Sequence, residues 1–311
     1  MARKPRENIE GDVKPEGSAE GQAERCRVLL RLRPLPGGEG SETPFDVKDD
    51  ETVMVRPRDA GSGDDVSFHF DKIFQDSAQQ DEVFKCVMND SVNAVLKGFN
   101  ATVLAYGQSG AGKTYTMFGD GSDNPDKIGI IPRAVAEIFQ RISADDGGGI
   151  FVVKASMLEI YMEEMKDLLR PTPQKLRLRE SAFEGIWVEG LHHIYVPNSK
   201  TALELCQMGM RCRAVGSTGM NSQSSRSHCI FSLRVEQQHP DGFVQRGELH
   251  FADLAGRHSL LTYSLVLKYL TLGSKISHSN CLCKRMCAYA RLFLNRLLHI
   301  YYTRACRTGT R

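Results

Sequence analysis

The sequence predicts an α/β fold with a mixed, mostly parallel central sheet and helices on both faces. Strand-like and helix-like segments alternate through the first 256 residues, which is typical of such sheets. One strand, residues 101–106, runs directly into Gly107-Gln-Ser-Gly-Ala-Gly-Lys-Thr114, which fits the pattern G-x-x-x-x-G-K-[ST]. Another ends in Asp253-Leu-Ala-Gly256, and sheets of this class bind ligands at the carboxyl ends of their strands.

Local sequence patterns in the first half of the chain predict its strands and helices. Residues 27–33 form a strand that Pro34 ends, and residues 52–55 and 66–70 form a small antiparallel pair. Apolar side chains recur at helical spacing over residues 79–99, which predicts one helix leading into the glycine-loop strand. Pro132 suits the first turn of a helix that continues over residues 133–142.

The second half of the chain is predicted to consist mainly of strands. Residues 150–161 predict a strand, residues 176–196 predict short strands, and residues 199–213 predict a helix. Two further strands, 228–237 and 243–252, flank Asp241-Gly242, which is a hairpin turn signal.

The glycine-rich loop predicts a nucleoside triphosphate site. Glycines at 107, 110 and 112 let the backbone N–H groups turn inward, and the following helix adds its positive dipole end. Lys113 can reach the β- and γ-phosphates, and the Thr114 hydroxyl can ligate Mg²⁺. The alternative, an ordinary glycine-rich turn, is disfavoured by the strand before the loop and the helix-compatible residues after it.

Charge is distributed unevenly along the chain. The 311 residues have a formal charge of +2, but residues 254–311 contain Lys and Arg and no Asp or Glu. The preceding residues therefore carry a net negative charge, and the change in composition falls at Gly256. The nine cysteines are odd in number and irregularly spaced, which predicts reduced cytosolic thiols.

Neither end of the chain predicts a membrane segment. Residues 1–25 alternate charges with Gly and Pro and predict a disordered leader. The apolar stretch 259–272 is too short to span a bilayer and contains Lys268, so it predicts a buried helix or strand.

A third motif identifies a family. Residues 221–228 read Asn-Ser-Gln-Ser-Ser-Arg-Ser-His before a strand, which alone would suit a serine-rich loop. The order of phosphate loop, S-S-R-S-H and D-L-A-G closely resembles the kinesin motor domain over roughly residues 26–256. Arg31-Leu-Arg33-Pro34, Gly129-Ile-Ile-Pro132 and Met220-Asn221 match as well, and the guanine motif N-K-x-D is absent from the sequence.

The resemblance implies an ATP site with Mg²⁺, assembled from four groups of residues. The group beside the adenine comprises Arg31, Arg33, Pro34 and Tyr115. The phosphate group comprises Gly107, Gln108, Ser109, Gly110, Ala111, Gly112, Lys113 and Thr114. The first switch comprises Asn221, Ser224, Ser225 and Arg226, and the second comprises Asp253 and Gly256. Mg²⁺ would be held by Thr114 and Ser225, with Asp253 acting through a water molecule.

The same resemblance implies a microtubule-stimulated ATPase of the cytoplasm and cytoskeleton, which couples hydrolysis to movement. The first switch would be ordered by the γ-phosphate and Mg²⁺ and released on their loss. A region facing the microtubule would lie near Lys175, Arg177 and Arg179. The alternative for these three side chains is an ordinary solvated charge run.

The chain departs from the family after Gly256. The family continues with Ser-Glu, whose glutamate pairs with the switch-one arginine, here Arg226, whereas this chain has Arg257-His258. The family's later elements, including the last core strand, have no recognisable counterpart. We therefore expect a partial motor domain over residues 26–256, a sheet incomplete at its C-terminal end, and an unrelated basic tail over residues 257–311.

The tail leaves several alternatives open. His278, Cys281, Cys283 and Cys287 suggest zinc, although the C-x-C-x₃-C spacing is not that of a usual finger. Basic residues interleaved with tyrosines would suit nucleic acid, but a translated intron or shifted frame is favoured. For the whole chain, the alternatives to a truncated motor are a non-motor nucleotide- or microtubule-binding module and an unstable product of a faulty gene model.

Overall fold

The computed structural model describes residues 27–34, 45–55, 65–88, 90–122, 124–171, 173–181, 185–215, 226–256 and 297–307. The strands are β1 Arg27–Leu32, β2 Phe45–Val47, β3 Thr52–Val55, β4 Val66–His69, β5 Lys72–Phe74, β6 Phe99–Gly107, β7 Ile150–Tyr161, β8 Glu164–Asp167, β9 Arg177–Ser181, β10 Gly185–Glu189, β11 Ile194–Tyr195, β12 His228–Gln238, β13 Val244–Asp253 and β14 Leu297–Arg307. The helices are α1 Gln80–Met88, α2 Ser91–Leu96, α3 Lys113–Phe118, α4 Ile130–Ser143 and α5 Ser199–Val215, with a 3₁₀ turn at Pro125–Lys127.

A nine-stranded mixed sheet forms the centre of the molecule. Its order is β11-β7-β12-β13-β6-β14-β1-β5, with β8 pairing β7 off this path. The pairs β6/β13 and β1/β5 are parallel, and the other pairs in this sheet are antiparallel. The α/β class and the mixed sheet are therefore confirmed, as are the β12/β13 hairpin and the small β3/β4 pair. The sheet is not mostly parallel as predicted: six of its eight pairs are antiparallel, partly because β7/β8 and β12/β13 are joined by short turns.

One predicted helix is divided in two. Residues 79–99 were expected to form a single helix, but α1 ends at Met88, α2 begins at Ser91, and β6 already begins at Phe99. The apolar spacing hides the break because both helices bury valines in the same core. The Asn-Asp-Ser run at 89–91 supplies residues that favour helix ends over helix interiors.

Two apolar clusters lie on opposite faces of the sheet. The first joins β6, β7, β12 and β13 to the buried sides of α1, α2, α3, α4 and α5. The second covers the other face with β2, β3 and the β9/β10 pair, around Leu104, Leu158 and Ile160. In the part of the chain that the structure describes, all five α-helices thus pack against one face, whereas the sequence predicted helices on both. The same part contains no helix that is both long and apolar enough to cross a membrane.

The tail supplies a strand to the sheet, so the prediction of an incomplete sheet with an unpaired position is wrong. β14 lies between β1 and β6 and runs antiparallel to both. Its segment is rich in branched and aromatic residues, Leu-Leu-His-Ile-Tyr-Tyr-Thr, which favour strands. Its register sets Leu298 opposite both Arg31 and Gly107. The strand therefore joins the two strands that lead to the predicted adenine and phosphate residues.

Deleting residues 297–311 should destabilise the fold strongly, because the backbone groups of β1 and β6 that face β14 lose their partners. Deleting only residues 308–311 keeps β14 and is the matched control. We expect the control to melt with the parent and the longer deletion to melt roughly 10 °C or more below it, or without a cooperative transition, by circular dichroism. Equal melting temperatures for both deletions would exclude β14 from the sheet.

Candidate functional site

The loop between β6 and α3 has the backbone of a phosphate-binding turn. Gly110 and Gly112 have φ values of +82° and +100°, which side-chain-bearing residues rarely adopt. A Cβ on Gly112 would meet no atom within 4 Å, so the backbone there faces open space. The Ala111 N–H donates to the Gln108 carbonyl at 3.2 Å and closes the turn that contains Ser109.

Lys113 is buried beneath this loop. Its Nζ donates to the carbonyls of Gly107 and Gln108, each at 2.8 Å. Burial lowers its pKa, while the nearby Asp253 carboxylate acts in the opposite direction. The loop thus holds an ammonium group against its own backbone, within reach of any anion that the backbone binds.

The carboxylate at the end of β13 connects the loop to the rest of the site. Asp253 Oδ2 accepts hydrogen bonds from Thr114 Oγ1 at 2.7 Å and from Arg213 Nη1 at 2.8 Å. The side chains of Arg213 and Asp253 are both 2% exposed, so this is a fully buried ion pair. Two residues of the predicted Mg²⁺ set, Thr114 and Asp253, are therefore in direct contact.

Sequence reasoning missed Arg213. It lies near the end of α5 and also donates to Ser227, through Nε to Oγ at 3.3 Å and through Nη2 to the carbonyl at 2.9 Å. Gly209, one turn earlier, lets α5 approach β7, since a Cβ there would lie 2.2 Å from Met157 Sδ. The sequence did contain a signal for Arg213. Its charged side chain lies on the same helical face as Ala202 and Cys206, which are buried and apolar.

The predicted adenine residues Arg31 and Tyr115 lie side by side. The Arg31 guanidinium is 5.5 Å from the centre of the Tyr115 ring, and Tyr115 is 38% exposed. Arg31 Nη1 donates to Gln80 Oε1 at 2.7 Å and to Thr116 Oγ1 at 2.9 Å. Gln80 in turn donates to the Tyr115 carbonyl at 2.7 Å. Gln80 was also missed, although it is a polar residue on the buried face of α1, in line with Val83 and Val87.

Arg33 and Pro34 are exposed at the end of β1. Arg33 Nη1 donates to the Gly110 carbonyl, so this side chain lies against the phosphate loop. The structure therefore brings Arg31, Arg33 and Tyr115 to one side of the loop, and Pro34 follows Arg33 directly at the exposed end of β1.

The start of β12, just after Arg226, contacts the segment that follows Asp253. Arg226 occupies an exposed turn before β12, and the following Ser227 and His228 are buried. After Asp253, the Leu254 N–H donates to the Ala105 carbonyl at 3.2 Å, and the Ala255 N–H donates to His228 Nδ1 at 3.0 Å. Gly256 is buried directly beyond them.

Three predicted site residues, Asn221, Ser224 and Ser225, lie outside the described residues, as do Arg257 and His258 and the suggested zinc ligands of the tail. Across the described ranges, no group of three or more His, Cys, Asp or Glu side chains could hold a metal ion. Four cysteines, Cys86, Cys206, Cys212 and Cys229, are free thiols there.

The basic residues near the β9/β10 pair are largely neutralised. Lys175 Nζ lies 3.6 Å from Glu164 Oε1, and Arg179 Nη2 lies 2.9 Å from Glu189 Oε2. Both pairs are solvent-exposed and contribute little to stability. Of the three predicted microtubule-facing cations, two have a carboxylate partner, which favours an ordinary solvated charge run at this hairpin.

The chain is similar to known proteins over most of its length. A family model described as the kinesin motor domain matches residues 30–279. Kinesin-related protein 5 of Dictyostelium discoideum is 42% identical over 239 residues, covering 74% of this chain and 23% of the relative. Kinesin-like protein 3 of Schizosaccharomyces pombe is 38% identical over 257 residues, covering 81% of this chain and 46% of the relative. The chain thus spans less than half the length of either curated relative.

A solved structure is similar over most of the chain. It is described as a fast kinesin, with implications for ATPase mechanism and interactions with microtubules. The match has a TM-score of 0.67 and 36% identity, and covers 74% of this chain and 65% of the solved one.

Breaking the buried ion pair should be costly. In Arg213→Met the Asp253 carboxylate keeps its charge without its buried partner, so we expect a loss of about 3–5 kcal/mol in the free energy of unfolding. The matched control is Lys85→Met, which removes an exposed pair with Asp81 and should cost about 0.5 kcal/mol or less. Urea denaturation measures both, and equal losses would contradict the buried ion pair.

Acid should destabilise the protein through two histidines, of which His228 is buried and His193 half-buried. Burial first, then the positive charges of Arg213 and Lys113, lower the pKa of His228 from 6.5 to about 4, and burial likewise lowers that of His193 to about 4. The unfolded chain therefore binds protons before the folded one, so the stabilisation is complete above pH 6.5 and is lost as pH falls toward 4.

Replacing His228 by Asn should remove its share of this dependence. Between pH 7.5 and pH 5, we expect the parent to lose about 2 kcal/mol more unfolding free energy than His228→Asn, measured by urea titration. An identical pH dependence in His228→Asn and the parent would mean that His228 is not buried as a neutral ring.

Proposed function

Because this chain belongs to the kinesin motor domain family, we propose that it binds ATP with Mg²⁺ at residues 107–114 and hydrolyses it in response to microtubules. The observation that carries the proposal is the contact between Thr114 and Asp253. It joins the hydroxyl at the end of the phosphate loop to the carboxylate at the end of the neighbouring strand, the two groups that P-loop enzymes use around Mg²⁺.

The residues present fit such a ligand. The open backbone at Gly112 and the buried ammonium of Lys113 suit a phosphate chain, since each provides positive charge at the same point. Thr114 and Asp253 present hard oxygen atoms, which Mg²⁺ prefers. Bound Mg²⁺ would neutralise charge on the phosphates during their transfer.

The remaining site residues would orient and enclose the nucleotide. Tyr115 offers an exposed ring face beside the Arg31 guanidinium, which suits a purine. Gln80 and Thr116 hold that guanidinium in place. Arg213 holds Asp253, and the Gly256 N–H lies at the end of the segment that would respond to the γ-phosphate. Asn221, Ser224, Ser225 and Arg226 are proposed as the first switch by their match to the family motif.

Microtubules are the proposed partner, and the cytoskeleton the proposed location. The family membership supports both proposals. Lys175 and Arg179 add little support for microtubule binding, because each is paired with a carboxylate. We therefore expect any binding to be weak, salt-sensitive and similar in the ATP and ADP states unless residues beyond 256 contribute.

A second candidate function is nucleotide binding without hydrolysis. Arg257-His258 stands where the family has Ser-Glu, so Arg226 lacks the carboxylate that would close the site around the attacking water. A histidine cannot provide that anion, and its protonated form would repel Arg226. The two candidates share the nucleotide site and differ only in turnover.

Nucleotide affinity should depend on Lys113. In Lys113→Ala the loop loses its phosphate-contacting charge, which should weaken binding by about 2–4 kcal/mol. Fluorescence titration with an ATP analogue in Mg²⁺ measures the affinity, and Lys97→Ala, on the turn after α2, is the control. Equal affinity of Lys113→Ala and the parent would rule out the phosphate-loop assignment.

Turnover should depend on residues 257 and 258. We expect the parent to be a poor ATPase and the double variant Arg257→Ser/His258→Glu to gain on the order of 10²-fold in microtubule-stimulated turnover, because a carboxylate again faces Arg226. Arg257→Ser/His258→Gln, which has a similar size and no charge, should gain nothing. If the glutamate variant binds ATP and folds but stays inactive, the defect lies elsewhere.

A further inference from the structure

Strands β12 and β13 separate at the functional end of the sheet. Their last backbone pair joins Cys229 to Asp253. Beyond it, Leu254 turns its N–H toward the other neighbour, β6, by donating to the Ala105 carbonyl. The next residue, Ala255, is buried, and its N–H lies beyond the last backbone pair with β12.

The His228 ring accepts the hydrogen bond of this N–H. His228 is the first residue of β12 and is 2% exposed, and its Nδ1 accepts from Ala255 N–H at 3.0 Å. A ring nitrogen that accepts must be unprotonated, so the ring is neutral with its proton on Nε2. The positive Arg213 and Lys113 nearby disfavour a second proton on the ring. The surroundings thus keep Nδ1 unprotonated and able to accept the hydrogen bond.

We propose that His228 is a positioning residue that ties the strand after the first switch to residues 254–256 of the second. The proposal rests on the proposed function, since it assigns the ring to the control of Gly256. The contact lies one residue before Gly256 and two residues after Arg226. It therefore links the two motifs directly, through one side chain and one backbone N–H.

The physical consequence is a constraint on movement. A buried N–H that loses its acceptor costs about 1–3 kcal/mol, so a displacement of residues 254–256 that breaks this bond is disfavoured unless the N–H gains a new acceptor. While the bond persists, any displacement of Ala255 must be accompanied by the His228 side chain at the start of β12. Loss of the ring should uncouple the motifs without removing any group that contacts the phosphates.

The chain offers a matched set of variants. Asn places a carbonyl oxygen as far from the backbone as Nδ1, so His228→Asn should keep the bond. Gln places its amide one carbon further out, and Ala has no acceptor, so His228→Gln and His228→Ala should lose it. Hydrogen exchange of the Ala255 amide, measured by NMR, reports the bond directly in the full chain without nucleotide.

We expect Ala255 exchange in His228→Asn to stay close to the parent rate, and in His228→Gln and His228→Ala to rise about tenfold or more. Urea denaturation of each variant measures its global stability, which distinguishes a local loss of protection at Ala255 from a loss caused by general destabilisation. Unchanged protection of Ala255 in folded His228→Gln, or equal loss of protection in His228→Asn and His228→Gln, would overturn the proposal.

A second measurement adds a non-hydrolysable ATP analogue with Mg²⁺. We expect the analogue to change exchange at Ala255 and Gly256 in the parent and in His228→Asn, and to bind His228→Gln without that change. If the analogue changes exchange at Ala255 and Gly256 in His228→Gln as much as in the parent, the proposed coupling through His228 is wrong. Absence of analogue binding in the parent would instead overturn the proposed function, while the nucleotide-free comparison still tests the bond.

Discussion

The site is organised around one carboxylate oxygen, Asp253 Oδ2. It accepts from the phosphate-loop residue Thr114 and from Arg213 at the end of α5, so three separate elements converge on a single atom. The ion pair is almost fully buried, and such a pair persists only when its hydrogen bonds are satisfied. The geometry of loop, strand end and helix end is consequently interdependent: a change in any one of them acts on the other two.

Much of the fold follows from sequence patterns of short range. The strand, glycine loop and α3 were predictable because a β-branched run meets a motif whose backbone demands are specific. The hairpin of β12 and β13 followed from Asp241-Gly242. The division of α1 from α2 was not predictable from periodicity, since both helices bury the same face. β14 was missed for a different reason: its partners are distant in the chain, and pairing of that kind leaves no local signal apart from strand propensity.

The candidate site shows the same contrast. Residues inside the motifs, including Lys113, Thr114 and Asp253, were named from the sequence and lie close together in the structure, whereas Gln80 and Arg213 were not named. Both missed residues interrupt an apolar helical stripe with a polar group, which is costly unless the group has buried partners. Such interruptions, rather than motifs, are the sequence signal for the side chains that support a site from behind. The residues 221, 224 and 225 remain predictions, because they lie outside the described part of the chain.

The position of β14 also bears on how the protein is made. The strand completes the sheet between β1 and β6, yet 190 residues separate Leu297 from Gly107 along the chain. At about 5–20 residues per second, synthesis of that interval takes roughly 10–40 s. Until β14 is synthesised, the sides of β1 and β6 that face it lack this partner, and strand edges with unpaired N–H and C=O groups attract other chains. The nascent protein should therefore depend on chaperones more than its finished sheet suggests.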